Sequence, residues 1–158
     1  NFKRVIRALE MHEEGVSYAD QVKNIRSLPE AIPSIRFFLE VDPFILAERI
    51  NARVDMMREE GLVEEVEALM ARGFEEELTA PKAIGYKEII AYEKGEITLD
   101  EAFRQIKTAT RRYAKRQRSW FRRDERLIPL NADDLSVEQM TAIICERYRQ
   151  ESSKSLVR

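Results

Sequence analysis

The residues best equipped for chemistry are cations crowded onto one stretch. Between Arg104 and Arg123 stand nine Lys and Arg residues and no carboxylate: Arg104, Lys107, Arg111, Arg112, Lys115, Arg116, Arg118, Arg122 and Arg123. The chain holds 27 basic and 29 acidic residues, so everything outside this stretch has 18 positive charges against 29 negative ones. A solvated helix face with cations in its last turns is the plainer explanation. It leaves unexplained why Arg111/Lys115, Arg112/Arg116 and Arg118/Arg122, like-charged pairs four residues apart, have no acid interleaved to relieve them. Tyr113, Trp120 and Phe121 stand among the cations, a mixture that neutralises phosphates and stacks on exposed bases. The partner these residues suit is a polyanion, with nucleic acid favoured.

Three smaller features invite chemical readings. Arg49 and Arg53, one helical turn apart, either pair with nearby carboxylates such as Asp42 or Glu48 or clamp an anion at the carboxyl end of the preceding strand. Gly85, flanked by Lys82 and Lys87, either makes a turn or lets a ligand approach the backbone closely. Cys145 is the one cysteine, which excludes an internal disulfide and a thiolate zinc cluster; with Met140, Ile143 and Ile144 on one helical face it reads as core. His12 is the one histidine and reads as a surface residue, not part of a multi-histidine metal site.

The elements that must position these groups follow from periodicity. With 158 residues, 44% of them hydrophobic, the chain is long enough for one domain with a core. Phe2 to Glu14 runs at helical period, with Gly15 as its stop. It starts at Asn1 with neither cap nor initiator Met, as a continuation of a longer polypeptide would. A loop with Pro29 and Pro33 leads to a buried strand, Ile35 to Val41, stopped by Asp42-Pro43. Leu46, Ile50, Val54 and Met57 mark a helix from Phe44 to about Glu60. Another spans Leu62 to Ala71, and a short one opens at Gly85-Tyr86 and closes at Gly95.

Thr98 and Glu101 form the pattern of a capping box, which starts the basic helix at Leu99. Along it Phe103, Ile106, Thr110, Tyr113, Gln117 and Trp120 share a stripe, so Tyr113 and Trp120 read as core more than as base contacts. Arg126 to Leu130 is a second short strand, Ser136 to Tyr148 the last helix, and the tail ESSKSLVR (151–158) frayed. A strand followed at once by a helix indicates an α/β class without settling whether the sheet is parallel. No run is apolar enough to span a bilayer and no signal peptide is visible, so a cytoplasmic protein with no membrane partner is expected.

Five strings in order along the chain, KRVIRALE (3–10), RINARVDMM (49–57), GLVEEVEAL (61–69), KAIGYKEI (82–89) and TRRYAKRQRSWFRR (110–123), resemble the C-terminal half of the bacterial tRNA dimethylallyltransferase family, also called tRNA isopentenyltransferase. The resemblance implies the helix-rich C-terminal portion of a P-loop-kinase-like α/β fold, with few strands and about six helices. Residues 1–158 would form a single domain fragment, 1–20 ending a helical insertion and 34–150 belonging to the core. The implied reaction moves a dimethylallyl group from dimethylallyl diphosphate to the exocyclic amine of the adenosine beside the anticodon, with Mg²⁺ assisting. No G-x-x-x-x-G-K-[ST] loop is present, and the general base, the diphosphate cradle and most Mg²⁺ contacts would lie in an N-terminal half. The fragment alone is therefore expected to be inactive.

By the same resemblance Arg53, the second Arg of R-I-x-x-R, serves the diphosphate. The tRNA anticodon stem-loop would meet Lys3, Arg4, Val5, Ile6 and Arg7. It would also meet Lys82, Ala83, Ile84, Gly85, Tyr86 and Lys87, and then Lys115, Arg116, Gln117, Arg118, Ser119, Trp120, Phe121 and Arg122. Ser119 stands where the family usually has Thr, which keeps the hydroxyl. A monomer is expected, and no metal ligand is assigned in this chain. Two rivals are a non-catalytic RNA-binding module and an enzyme that prenylates free adenine nucleotides.

Overall fold

A computed structural model describes residues 2–17, 32 and 34–155, without side chains for the last two. The chain divides into two compact units, residues 1–35 and 36–158. In the first, helix α1 (Phe2–Glu13) ends as its sequence directs, with the Gly15 N–H donating to the His12 carbonyl at 3.0 Å and Gly15 at φ +74°. Its Met11 is buried, whereas Val5 and Leu9 are exposed. The loop expected around Pro29 and Pro33 lies outside the described residues.

The second unit begins with strand β1 (Arg36–Glu40), which pairs in parallel with β2 (Leu127–Asn131); Arg36 stands opposite Leu127 and Glu40 opposite Asn131. Parallel strands need a long crossover, and here residues 41–126 supply it with four helices. Helix α2 (Pro43–Glu59) starts where the chain leaves β1. Asp42 caps it by accepting the Phe44 N–H at 2.8 Å and the Ile45 N–H at 3.3 Å, and Pro43 fills the first turn, where its missing N–H costs nothing. Helices α3 (Leu62–Met70), α4 (Tyr86–Glu93) and α5 (Leu99–Phe121) follow, with 3₁₀ turns at Phe74–Glu76 and Ala80–Lys82 between α3 and α4. The last helix is α6 (Val137–Ser155), opened by a reciprocal cap in which the Ser136 N–H donates to Gln139 Oε1 and the Gln139 N–H to Ser136 Oγ. It runs past Tyr148 to Ser155, into the tail the sequence suggested was frayed.

The core lies among α2, α3, α4 and α5: Val54, Leu62, Val66, Ile89, Ile90, Ala102, Phe103 and Ile106. Val66, Ile89 and Ile106 are fully enclosed, each worth roughly 1.5–3 kcal/mol relative to exposure. Helix α5 has a second anchorage at its far end. The Phe121 ring stacks on Phe38 of β1 with centroids 6.4 Å apart, and the next residue, Arg122, pairs with Glu40 of the same strand. The helix is thus held at both ends, by the helical core and by the sheet, and its middle bridges them.

No α6 residue belongs to that core. Cys145, expected inside on the strength of its apolar neighbours, is exposed, and Ile143 and Ile144 are partly so. An apolar stripe on a helix is buried only where another element covers it, and the core cluster is completed without this one.

Candidate nucleic-acid interface

The nine cations of the basic stretch divide by position along α5. Those in its first half are committed to structure. Arg104 forks onto Glu101 at 2.7 and 2.6 Å, holding that carboxyl below its ordinary range, first through this bond and then through one from Gln105. Glu101 therefore does not turn back to cap the helix. Thr98 Oγ1 still accepts the Glu101 N–H at 3.3 Å, so half of the expected box is made. Lys107 reaches Asp55 at 2.5 Å, and Arg111 donates to Asn51 Oδ1 at 2.7 Å. Arg58 from α2 meets Asp100 at 3.0 Å and lies over the Phe103 ring at 5.0 Å. These pairs form a polar seam between α2 and α5.

Beyond Arg111 the seam ends. Among the described residues Arg112, Lys115, Arg116, Arg118 and Arg123 have no carboxylate partner, whereas Arg122 is taken by Glu40. At helical spacing, Arg112, Lys115 and Ser119 fall on the side of α5 opposite Phe103 and Ile106 over roughly 10 Å, Arg116 stands between that side and Tyr113, and Arg123 follows the helix's end. Arg118 is turned the other way; its Nε is buried and lacks a hydrogen-bond partner among the described residues.

The aromatic residues correct the sequence reading. Tyr113 and Trp120 are 48% and 66% exposed, not buried in the stripe that Phe103 and Ile106 begin. Periodicity placed them on the right face, but α2, α3 and α4 cover that face only over the first turns of α5. Arg116 lies over the Tyr113 ring at 5.8 Å, Gln117 donates to the Tyr113 hydroxyl at 3.2 Å, and Trp120 meets Phe121 edge-on at 5.1 Å. The far half of α5 thus carries both cations without carboxylate partners among the described residues and exposed aromatic side chains.

The segment from Lys82 to Lys87 lies where α4 begins. Lys82, Ala83 and Lys87 are exposed, Ile84 is partly buried against the core, and Gly85 is buried at φ +103°, ψ −62°. The Tyr86 hydroxyl donates to Glu65 Oε1 at 2.7 Å, and this bond is the main reason its acidity falls. Its ring meets Phe74 edge-on at 5.4 Å. The sequence reading missed the residue beneath this turn. Glu88 accepts the Gly85 N–H and pairs with Lys87; the G-x-x-E spacing at a helix start was its signal. In the first unit Lys3, Arg4, Val5, Ile6 and Arg7 are all exposed on α1, with Arg7 on Glu10 at 3.2 Å.

Arg49 and Arg53 leave the middle of α2, on the flank away from the α5 seam. Both are ion-paired, though not with Asp42 or Glu48. Arg49 meets Asp133 at 3.4 Å and Arg53 meets Glu60 at 3.2 Å. Among the described residues no group of three or more His, Cys, Asp or Glu side chains is arranged to hold a metal ion. No helix among them is long and apolar enough to cross a membrane.

Fold and site define an α/β protein whose longest described helix, anchored at both ends, carries a cationic and aromatic surface. The chain belongs to the IPP transferase family: the family model of that description matches residues 1–124. It is 41% identical over 142 residues to a tRNA dimethylallyltransferase of Acetivibrio thermocellus, covering 88% of this chain and 45% of that one. Two solved structures are similar at a TM-score of 0.75. The tRNA delta(2)-isopentenylpyrophosphate transferase of Staphylococcus epidermidis is 33% identical, with 96% of this chain and 49% of that one aligned. The full-length tRNA isopentenylpyrophosphate transferase of Bacillus halodurans is 34% identical, with 100% and 48% aligned. The chain spans about half the length of these relatives, and its helix-rich architecture with a parallel strand pair is that of the C-terminal portion of their fold.

Proposed function

We propose that this chain serves tRNA prenylation, providing the surface that holds the anticodon stem-loop and one guanidinium for the diphosphate of dimethylallyl diphosphate. The observation that carries the reading is the run of cations from Arg112 to Arg123 without carboxylate partners among the described residues, Arg122 excepted. Family membership supplies the reaction. The allylic carbon–oxygen bond breaks, diphosphate leaves with the electron pair, the adenosine amine forms the new carbon–nitrogen bond, and a proton leaves the nitrogen. The amine must first be turned out of its stack. Negative charge grows on the departing oxygens, and a fixed cation lowers the barrier most where that charge develops.

Arg53 suits that place because its fork matches phosphate oxygens. Its side chain is 59% exposed and its partner Glu60 56%. Such a surface pair is worth at most about 1 kcal/mol, so a diphosphate can displace the carboxylate at small cost.

The test is transfer of radiolabelled dimethylallyl by the full-length protein, with tRNA and AMP as competing acceptors. Label on tRNA is the expected result; label on AMP establishes the nucleotide-prenylating rival, and salt-sensitive tRNA binding with no transfer establishes the RNA-binding module. In the same protein Arg53→Ala should lower turnover about a hundredfold and leave tRNA affinity within about twofold. Lys115→Ala with Arg116→Ala should weaken tRNA binding and spare turnover at saturating tRNA. Equal losses of both quantities in either variant would refute the division of labour.

A further inference from the structure

Glu88 is 4% exposed and is the one buried charged residue among those described. A carboxylate in such a place costs several kcal/mol unless its oxygens are bonded, and an apolar residue would fill the same volume without that cost. Both oxygens are used, each on a different neighbour. Oε2 accepts the Gly85 N–H at 2.8 Å and Oε1 faces Lys87 Nζ at 3.3 Å.

Each bond fixes something the rest of the fold leaves loose. Gly85 holds φ +103°, a backbone region L side chains avoid, while a Cβ there would meet nothing within 4 Å. Glycine is therefore kept for conformation and not for room, and the Glu88 bond satisfies the N–H which that conformation turns inward. Lys87 is half exposed, and its ammonium is tethered above the same carboxylate. A lysine already held in place loses less side-chain entropy when it meets a ligand. Tyr86, between them, is fixed independently by Glu65 and Phe74.

We propose that Glu88 is a positioning residue for tRNA docking, holding the Gly85 backbone and the Lys87 ammonium so that the Lys82–Lys87 turn meets the RNA already ordered. The assignment rests on the tRNA reading given above. Gln at position 88 keeps an oxygen for the Gly85 N–H and removes the charge that holds Lys87, while Ala removes both.

Steady-state transfer by the full-length protein tests this with Glu88→Ala, Glu88→Gln, Lys87→Ala and the double variant Glu88→Gln/Lys87→Ala. Glu88→Ala should raise the KM for tRNA about tenfold or more, with kcat and the KM for dimethylallyl diphosphate within about twofold. Glu88→Gln should raise it about threefold, and the double variant should be no worse than Lys87→Ala alone. An unchanged tRNA KM in Glu88→Ala overturns the assignment. So does a parallel fall of every kinetic parameter with the thermal midpoint, the mark of a merely structural role. Should Glu88→Ala not fold, the near-isosteric Gln cycle decides, because independent, multiplying effects of positions 87 and 88 exclude the tether. Wild type that takes no tRNA overturns the functional reading and the assignment together; wild type that takes it beside an unaffected Glu88→Ala overturns the assignment alone.

Discussion

A guanidinium serves a leaving diphosphate only if its resident partner gives way, and the two arginines of R-I-x-x-R differ in this respect. The partner of Arg49 is Asp133, which is also fixed by the Asp42 N–H at 2.6 Å and ties the start of α2 to the end of β2. Glu60, on Arg53, is as exposed as the arginine it pairs with. Removing it should therefore help the donor substrate: Glu60→Gln is expected to lower the KM for dimethylallyl diphosphate about twofold, the worth of a weak surface pair, with tRNA affinity unchanged. Titration of the full-length protein with the diphosphate measures this, and a raised KM would show that Glu60 orients Arg53 instead of competing for it. The spacing of Arg49 and Arg53 was legible in the sequence; their partners were not. Asp133 arrives from 84 residues away through the parallel strand pairing, which no local pattern announces. Glu60 stands two helical turns past Arg53 and could have been read from spacing alone.

Helix α5 shows how far an element can be read from its own periodicity. Its start at Leu99 follows from Thr98, and its buried beginning follows from Phe103 and Ile106. Its apolar stripe continues to Tyr113 and Trp120, and nothing in the stripe says where the neighbouring helices stop covering it; α6 misleads in the same way at Cys145. The anchored end gives a direct stability prediction: Ile106→Ala, emptying a fully enclosed site, should cost about 2–5 kcal/mol in denaturant unfolding. The other end is held near the sheet by Asp124, whose carboxyl is brought down from 3.8 to about 2, chiefly by its hydrogen bond from Arg126, with Arg36 adding its charge. A depressed carboxyl pKa stabilises the fold above the unfolded value, and that contribution is lost as pH falls through the folded one. The gap in thermal midpoint between wild type and Arg126→Ala should accordingly be widest above about pH 4 and shrink toward pH 2. A gap that stays constant over that range would mean Arg126 acts by packing and not through Asp124.

Across the second unit, charge is sorted rather than mixed. Carboxylates crowd α3, α4 and the 3₁₀ turn between them, closely enough that Glu93 is raised above its ordinary pKa, by desolvation first and by Glu67 next. On the far half of α5, past the point where those helices pack on it, Arg112, Lys115, Arg116, Arg118 and Arg123 have no carboxylate partner among the described residues. On the tRNA reading proposed above, these cations together with Lys82 and Lys87 draw the RNA's phosphates. The affinity this produces must come largely from counterions released by phosphates, with log K falling by about 0.7–0.9 per phosphate contact for each tenfold rise in salt. If the cations from Arg112 to Arg123 make those contacts, removing Lys115 and Arg116 together should flatten the salt slope for an anticodon stem-loop by about 1.4 to 1.8. Arg53→Ala, on the opposite flank of α2, should leave the slope as it is. Fluorescence anisotropy of the full-length protein from about 50 to about 300 mM salt spans enough of the range to read the difference. A double variant that binds more weakly with an unaltered slope would mean that α5 holds the RNA through its bases and not its backbone, which moves the weight of recognition from the cations to Tyr113 and Trp120.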